Sequence, residues 1–167
     1  MQTGYPPIRR VVTGHDSAHQ AKVLIDAPAT NAKHPQAGVV STMIWCTDGA
    51  PAAIPIGEQP EDMGARILGT APPPKGTRFA VIDFPPGNQA HMHRTETVDY
   101  VIVIEGEIEM DMDASTVKLK AGDIMIQRGT NHAWANRSSQ RARVAFVLID
   151  AEPLGIGSPV AGLQSAR

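Results

Sequence analysis

The chain has 167 residues, a formal net charge of −2 with the two signs interspersed, and 42% hydrophobic residues. That is the length of one domain with enough apolar material for a core. It offers neither a basic field for nucleic acid nor an apolar run long enough to span a membrane. Cys46 is the one cysteine, so no disulfide forms within the chain. With no apolar leader after Met1, the expectation is a reducing, cytoplasmic setting.

In chain order, residues 8–13 read as a strand, 14–17 as a turn and 21–25 as the returning strand, a hairpin ahead of the main body. Residues 39–47 form a further strand, rich in β-branched side chains. Residues 48–76 carry six prolines. Within them Gln59-Pro60-Glu61-Asp62 suits the start of one short helix, with proline near its first turn and acids at its positive end. A connection this long is a loop or lid.

From residue 77 the strands come quickly: 78–84, 91–93, 99–113, 116–120, 124–127, 132–136 and 143–149. Short strands with turn residues between them point to an all-β sandwich or barrel. The chain therefore divides into N-terminal strands (1–47) packed on the barrel or on a partner copy, the Pro-rich loop (48–76), the barrel core (77–153) and a mobile tail (154–167). One hairpin can be registered. A turn at 113–116 sets Asp111 opposite Lys118, Glu109 opposite Lys120, Met110 opposite Leu119 and Met112 opposite Val117, with charges on one face and apolar groups on the other. Even positions then face inward, so Asp99 turns inward only if a bulge near Gly106 exchanges the faces.

The chemistry concentrates in residues 87–136. His91 and His93 are spaced to share one face of a strand, and a third imidazole follows at His132. Imidazoles with one carboxylate suit first-row transition metals rather than Mg2+ or Ca2+. The carboxylate is either Asp99 or Glu96. His15, His19 and His34 read as surface residues, and Met92, Met110, Met112 and Met125 as apolar filler.

These blocks resemble the two motifs of the cupin superfamily, G-x5-H-x-H-x3-4-E-x6-G and G-x5-P-x-G-x2-H-x3-N, in the spacing typical of small single-domain cupins (the cupin type-2 conserved barrel). His91, His93, Gly106, Gly122, Gly129, His132 and Asn136 fall at or near the motif positions. Three departures stand out: Gly87 is close to His91, Gln127 stands where the family has proline, and Asp99 occupies the place of the glutamate. The resemblance implies a jelly-roll β-barrel, here with an N-terminal hairpin and at most one or two short helices. It also implies a homodimer, and the edge strands of the early hairpin lead to the expectation that residues 1–47 contribute to the interface.

The site expected from this reading is one divalent transition metal (Fe, Mn, Zn or Ni) on His91, His93, Asp99 and His132. Glu96 serves as general base with Asp99 as second choice. Arg94, Asn131 and Trp134 line the mouth toward a small-molecule substrate, and Asn136 gives hydrogen-bonding support. Such a site activates a small oxygenated molecule, as a lyase, isomerase, dehydratase or cyclase working through enolate stabilisation. The alternatives are a mononuclear Fe(II) dioxygenase and a non-catalytic binding module for a sugar or other small molecule. The methionines near the pocket, which oxidants would threaten, tilt the expectation toward redox-neutral chemistry.

Overall fold

The structure, a computed structural model, describes residues 4–157. Strands β1 (Arg9–His15) and β2 (Ala21–Pro28) form the N-terminal hairpin. A six-stranded antiparallel sheet follows, built from β3 (Ala32–Gln36), β4 (Val39–Thr47), β5 (Thr77–Phe84), β6 (Thr97–Glu105), β9 (Ile124–Arg128) and β11 (Ala142–Asp150), in the order β3-β4-β5-β11-β6-β9. A second sheet of β7 (Glu107–Asp111), β8 (Thr116–Lys120) and β10 (Ala133–Ala135) runs in the order β10-β7-β8. The expected all-β jelly roll is what forms. Among the described residues no helix is long and apolar enough to cross a membrane.

Strand periodicity decides the core. Val101 and Val103 of β6, Ile108 and Met110 of β7, and Val144, Phe146 and Leu148 of β11 are buried in one cluster with Trp134 of β10. β4 is an interior strand, paired with both β3 and β5, and its Val39, Val40 and Met43 are buried. The hairpin is tied down electrostatically. Arg10 donates to both Asp62 carboxylate oxygens at 2.7 and 2.6 Å, and Asp62 also caps a 3-10 turn, Met63–Ala65, by accepting from Gly64 N–H. The helix expected near residue 60 is thus reduced to that turn.

Three expectations change. Residues 91–93 are not a strand: only His93 pairs, in an isolated bridge to His132. The expected strand 99–113 breaks at Gly106, where the chain passes from one sheet to the other. Last, the β7–β8 register is two residues away from the expected one, with Glu107 opposite Lys120, Glu109 opposite Lys118 and Asp111 opposite Thr116. The turn is 112–115, closed by the Met112 N–H to Ser115 carbonyl bond, and the Thr116 hydroxyl donates to Asp111. A shift of two keeps every side chain on its expected face, and Lys118 pairs with Glu107 at 2.7 Å. Of the expected tail, residues 158–167 lie outside the described residues.

The break at Gly106 does what a bulge was needed to do. In β6 the odd positions Thr97, Asp99, Val101 and Val103 are buried, whereas in β7 the even positions Ile108 and Met110 are. The β11 register slips opposite this point, between Arg143 and Val144. Asp99 is thereby turned inward.

Candidate active site

A cavity of about 180 Å³ opens between the two sheets, and its wall includes His91, His93 and His132, with Asp99, Arg78, Thr95 and Trp134. Apolar side chains complete it, among them Val39, Phe84, Phe146 and Leu148, and Thr70 reaches it from the Pro-rich loop.

His93 and His132 are opposed residues of one antiparallel bridge, each donating its backbone N–H to the other's carbonyl at 2.9 Å. Residues so paired project their side chains to the same side, and the two rings lie 4.2 Å apart between centroids. Each Nδ1 is held 2.9 Å from the carbonyl two residues earlier, His91 for His93 and Thr130 for His132. A carbonyl only accepts, so each Nδ1 carries the proton and each Nε2 keeps its lone pair. Burial pushes both imidazoles toward the neutral form. His132, with His93 beside it as a second cause, is pushed down to about 4.

Asp99 is 4% exposed. Its carboxylate accepts from the Thr97 hydroxyl at 2.6 Å and from the Gln127 carboxamide at 2.9 Å. Since Thr97 gives its proton to Asp99, Thr95 must donate to Thr97 across the 2.7 Å between their hydroxyls. A hydroxyl chain thus runs from a cavity-lining threonine to a buried carboxylate. Burial pushes Asp99 up to about 6, against the lowering effect of Thr97 and then of Arg78.

Asp99 and His132 bias stability with pH in opposite directions. The folded state holds Asp99's proton between about pH 4 and 6, where the unfolded chain has lost it, so this group's contribution falls as pH rises through that window. His132 is neutral when folded but protonated when unfolded between about pH 4 and 6.5, so its contribution is lost on acidification. In metal-free protein, Asp99→Asn is expected to be more stable at pH 7 by about 2 kcal/mol and to lose stability more steeply than wild type between pH 6.5 and 4. A flip of the Gln127 carboxamide lets its oxygen accept from the new N–H. Urea unfolding at several pH values measures this, and equal stability of the two proteins at pH 7 would contradict it.

Of the other expected site residues, Trp134 alone among the described residues lines the cavity. Glu96, in the loop before β6, is 3.9 Å from Arg94 and is not part of the cavity wall. Arg94 is buried and donates to the Gly157 carbonyl at 2.7 Å. Asn131 donates to Asp113 at 3.0 Å. Trp134 is in the wall, its ring edge-on to His132 at 5.9 Å and to Phe146 at 5.2 Å. Asn136, 1% exposed, donates to the Phe84 and Gln140 carbonyls and accepts from Ser138, so it clamps the end of β10 to the end of β5.

The donor chemistry of His93 and His132 fits a transition ion: two neutral imidazoles with the Nε2 lone pairs free and Nδ1 anchored. The expected four-residue set is not gathered to the same degree. Among the described residues no three His, Cys, Asp or Glu side chains are grouped so as to hold one ion. His91 is exposed, and the Asp99 carboxylate is engaged by Thr97 and Gln127.

Sequence reading missed Arg78. It is 7% exposed, it lines the cavity, and its Nε has no hydrogen-bond partner among the described residues. The signal was present: in the expected strand 78–84 this arginine shares its parity with Ala80, Ile82 and Phe84.

Residues 80–149 match the family model described as Cupin_2: Cupin domain. The chain is 42% identical over 91 residues to the phomopsin biosynthesis cluster protein C' of Diaporthe leptostromiformis, covering 53% of this chain and 48% of that one. It is 29% identical over 152 residues to the cupin-domain-containing oxidoreductase fogC of Aspergillus ruber, covering 88% and 74%. The chain spans about half the length of the first of these relatives. Among solved structures, the Schizosaccharomyces pombe Cnp3 cupin domain shares the fold, with a TM-score of 0.52 at 13% identity, over 87% of this chain and 89% of that one. Residues 80–149 of this chain are thus a cupin domain.

Proposed function

We propose that the cavity is the active site of a cupin enzyme that acts on a small oxygenated organic molecule with one divalent transition metal held by His93 and His132. The observation that carries this reading is the pair of neutral imidazoles, drawn from two parts of the chain and opposed across one bridge in the cavity wall. Support for enzyme-like function comes from relatives named cupin-domain-containing oxidoreductases and from relatives named for fungal biosynthesis clusters. The oxidoreductase names favour the redox alternative over the redox-neutral enolate chemistry expected first.

A metal bound between the imidazoles would polarise substrate oxygens or exchange electrons. The chain supplies the rest. The His91 and Thr130 carbonyls hold the two rings in one tautomer, and Trp134, Phe84, Phe146 and Leu148 keep water from the reacting groups. Asp99, rather than Glu96, takes the role of base, because it lines the cavity and receives the hydroxyl chain from Thr95.

The test is O2 uptake by protein loaded separately with Fe(II), Mn(II), Zn(II) and Ni(II), with β-diketones, catechols and keto acids as substrates. The reading expects uptake in step with product for one redox-active metal, and at least about a hundredfold loss of rate in His132→Ala. Turnover without uptake would return the site to lyase or isomerase chemistry.

A further inference from the structure

Registers across the larger sheet set Arg78 of β5 opposite Leu148 of β11, and Leu148 opposite Asp99 of β6. The guanidinium and the carboxylate therefore start two strands apart, about 10 Å between backbones, with Leu148 between them. All three residues line the cavity. Arg78 and Asp99 attract one another across that gap, yet the carboxylate's hydrogen bonds come from Thr97 and Gln127. Arg78 is left with a long contact, 3.4 Å from Nη2 to the Ser41 hydroxyl, and with Nε unpaired. A guanidinium carries five N–H donors, and one this deeply buried calls for an anion.

We propose that the cavity takes an organic monocarboxylic acid whose carboxylate is held by Arg78. Its apolar body lies against Phe84, Phe146 and Trp134. The proposal rests on reading the cavity as a small-molecule site and deepens that reading by naming the substrate class. A neutral ligand with a weak acceptor would leave the guanidinium poorly paired, and an amine would add a second buried cation. A planar carboxylate matches the guanidinium fork in shape and charge.

Calorimetric titration with benzoate, benzamide and phenyl phosphate, on protein as purified and after chelator treatment, tests this. The expected result is about tenfold tighter binding of benzoate than of its neutral isostere, in both preparations. That preference should vanish in Arg78→Met and weaken but persist in Arg78→Lys, with thermal unfolding confirming that each variant is folded. If Arg78→Met does not fold, a crystal structure of the wild type with benzoate decides the same question: the carboxylate must lie within hydrogen-bond distance of the guanidinium, and a carboxylate bound elsewhere overturns the proposal.

Equal affinity for acid and amide in the wild type, or a preference that survives in Arg78→Met, overturns the proposal. So does a preference confined to the untreated protein, which would put the carboxylate on the metal, or tighter binding of phenyl phosphate than of benzoate. Because these measurements need no turnover, failure of the oxygen-uptake test leaves them standing. Their own failure beside observed turnover would remove only the acid.

Discussion

Gly106→Ala is expected to destabilise the protein by about 4 kcal/mol, roughly a 10 °C fall in melting temperature. Two costs add. Gly106 has φ +74°, where a side chain is strained, and an added Cβ would lie 2.3 Å from the Arg141 carbonyl oxygen and 3.1 Å from the Ala142 Cα. Both neighbours are backbone in β11 or next to it, so relief requires moving the strand that pairs with β5 and β6. Gly122→Ala isolates the first cost: its φ is +94°, but nothing lies within 4 Å of the added carbon. It should lose only about 1 kcal/mol. Equal losses from the two substitutions would show that the close approach at Gly106 carries no weight. The position matters to the site because the parity change there is what turns Asp99 inward.

Trp134→Ala is expected to cost a similar amount, about 4 kcal/mol. The indole is 7% exposed and is the largest side chain of the core, meeting Phe146 and His132 edge-on. Its strand is only three residues long, so little else is available to collapse into the space. Trp134→Phe keeps an aromatic edge in that place and should lose about 1 to 2 kcal/mol. Chemical unfolding of the metal-free variants measures both. A loss below about 1 kcal/mol in Trp134→Ala would mean that the wall between the sheets is loosely packed and that the cavity is not a shaped pocket.

Much of this was legible in the residues, for identifiable reasons. Alternating apolar positions found most strands, but uninterrupted parity pointed Asp99 outward, and only the condition attached to it, a break near Gly106, brings it in. The register of the β7–β8 hairpin was not legible, because Glu107, Glu109 and Asp111 face Thr116, Lys118 and Lys120. With charges repeating every second residue, a slip of two keeps opposite signs paired. β3 was missed because Ala32-Lys33-His34-Pro35-Gln36 contains a proline and no apolar alternation, which an edge strand tolerates. At the site, the pairing of His93 with His132 could be anticipated from two histidine motifs, but its single bridge and carbonyl-anchored rings could not. Arg78 was passed over because motif matching looks for histidines and carboxylates, while the sign that a buried cation needs a partner lies in packing.

The central claim is that His93 and His132 hold one metal ion in this cavity, and elemental analysis tests it most directly. Protein purified without added metal, then offered Fe(II), Mn(II), Zn(II) or Ni(II) and desalted, should retain about one equivalent of one of them. The folded His93→Ala/His132→Ala variant should retain none. Metal-free wild type under every loading condition, or the same metal content in wild type and the double variant, would contradict the claim.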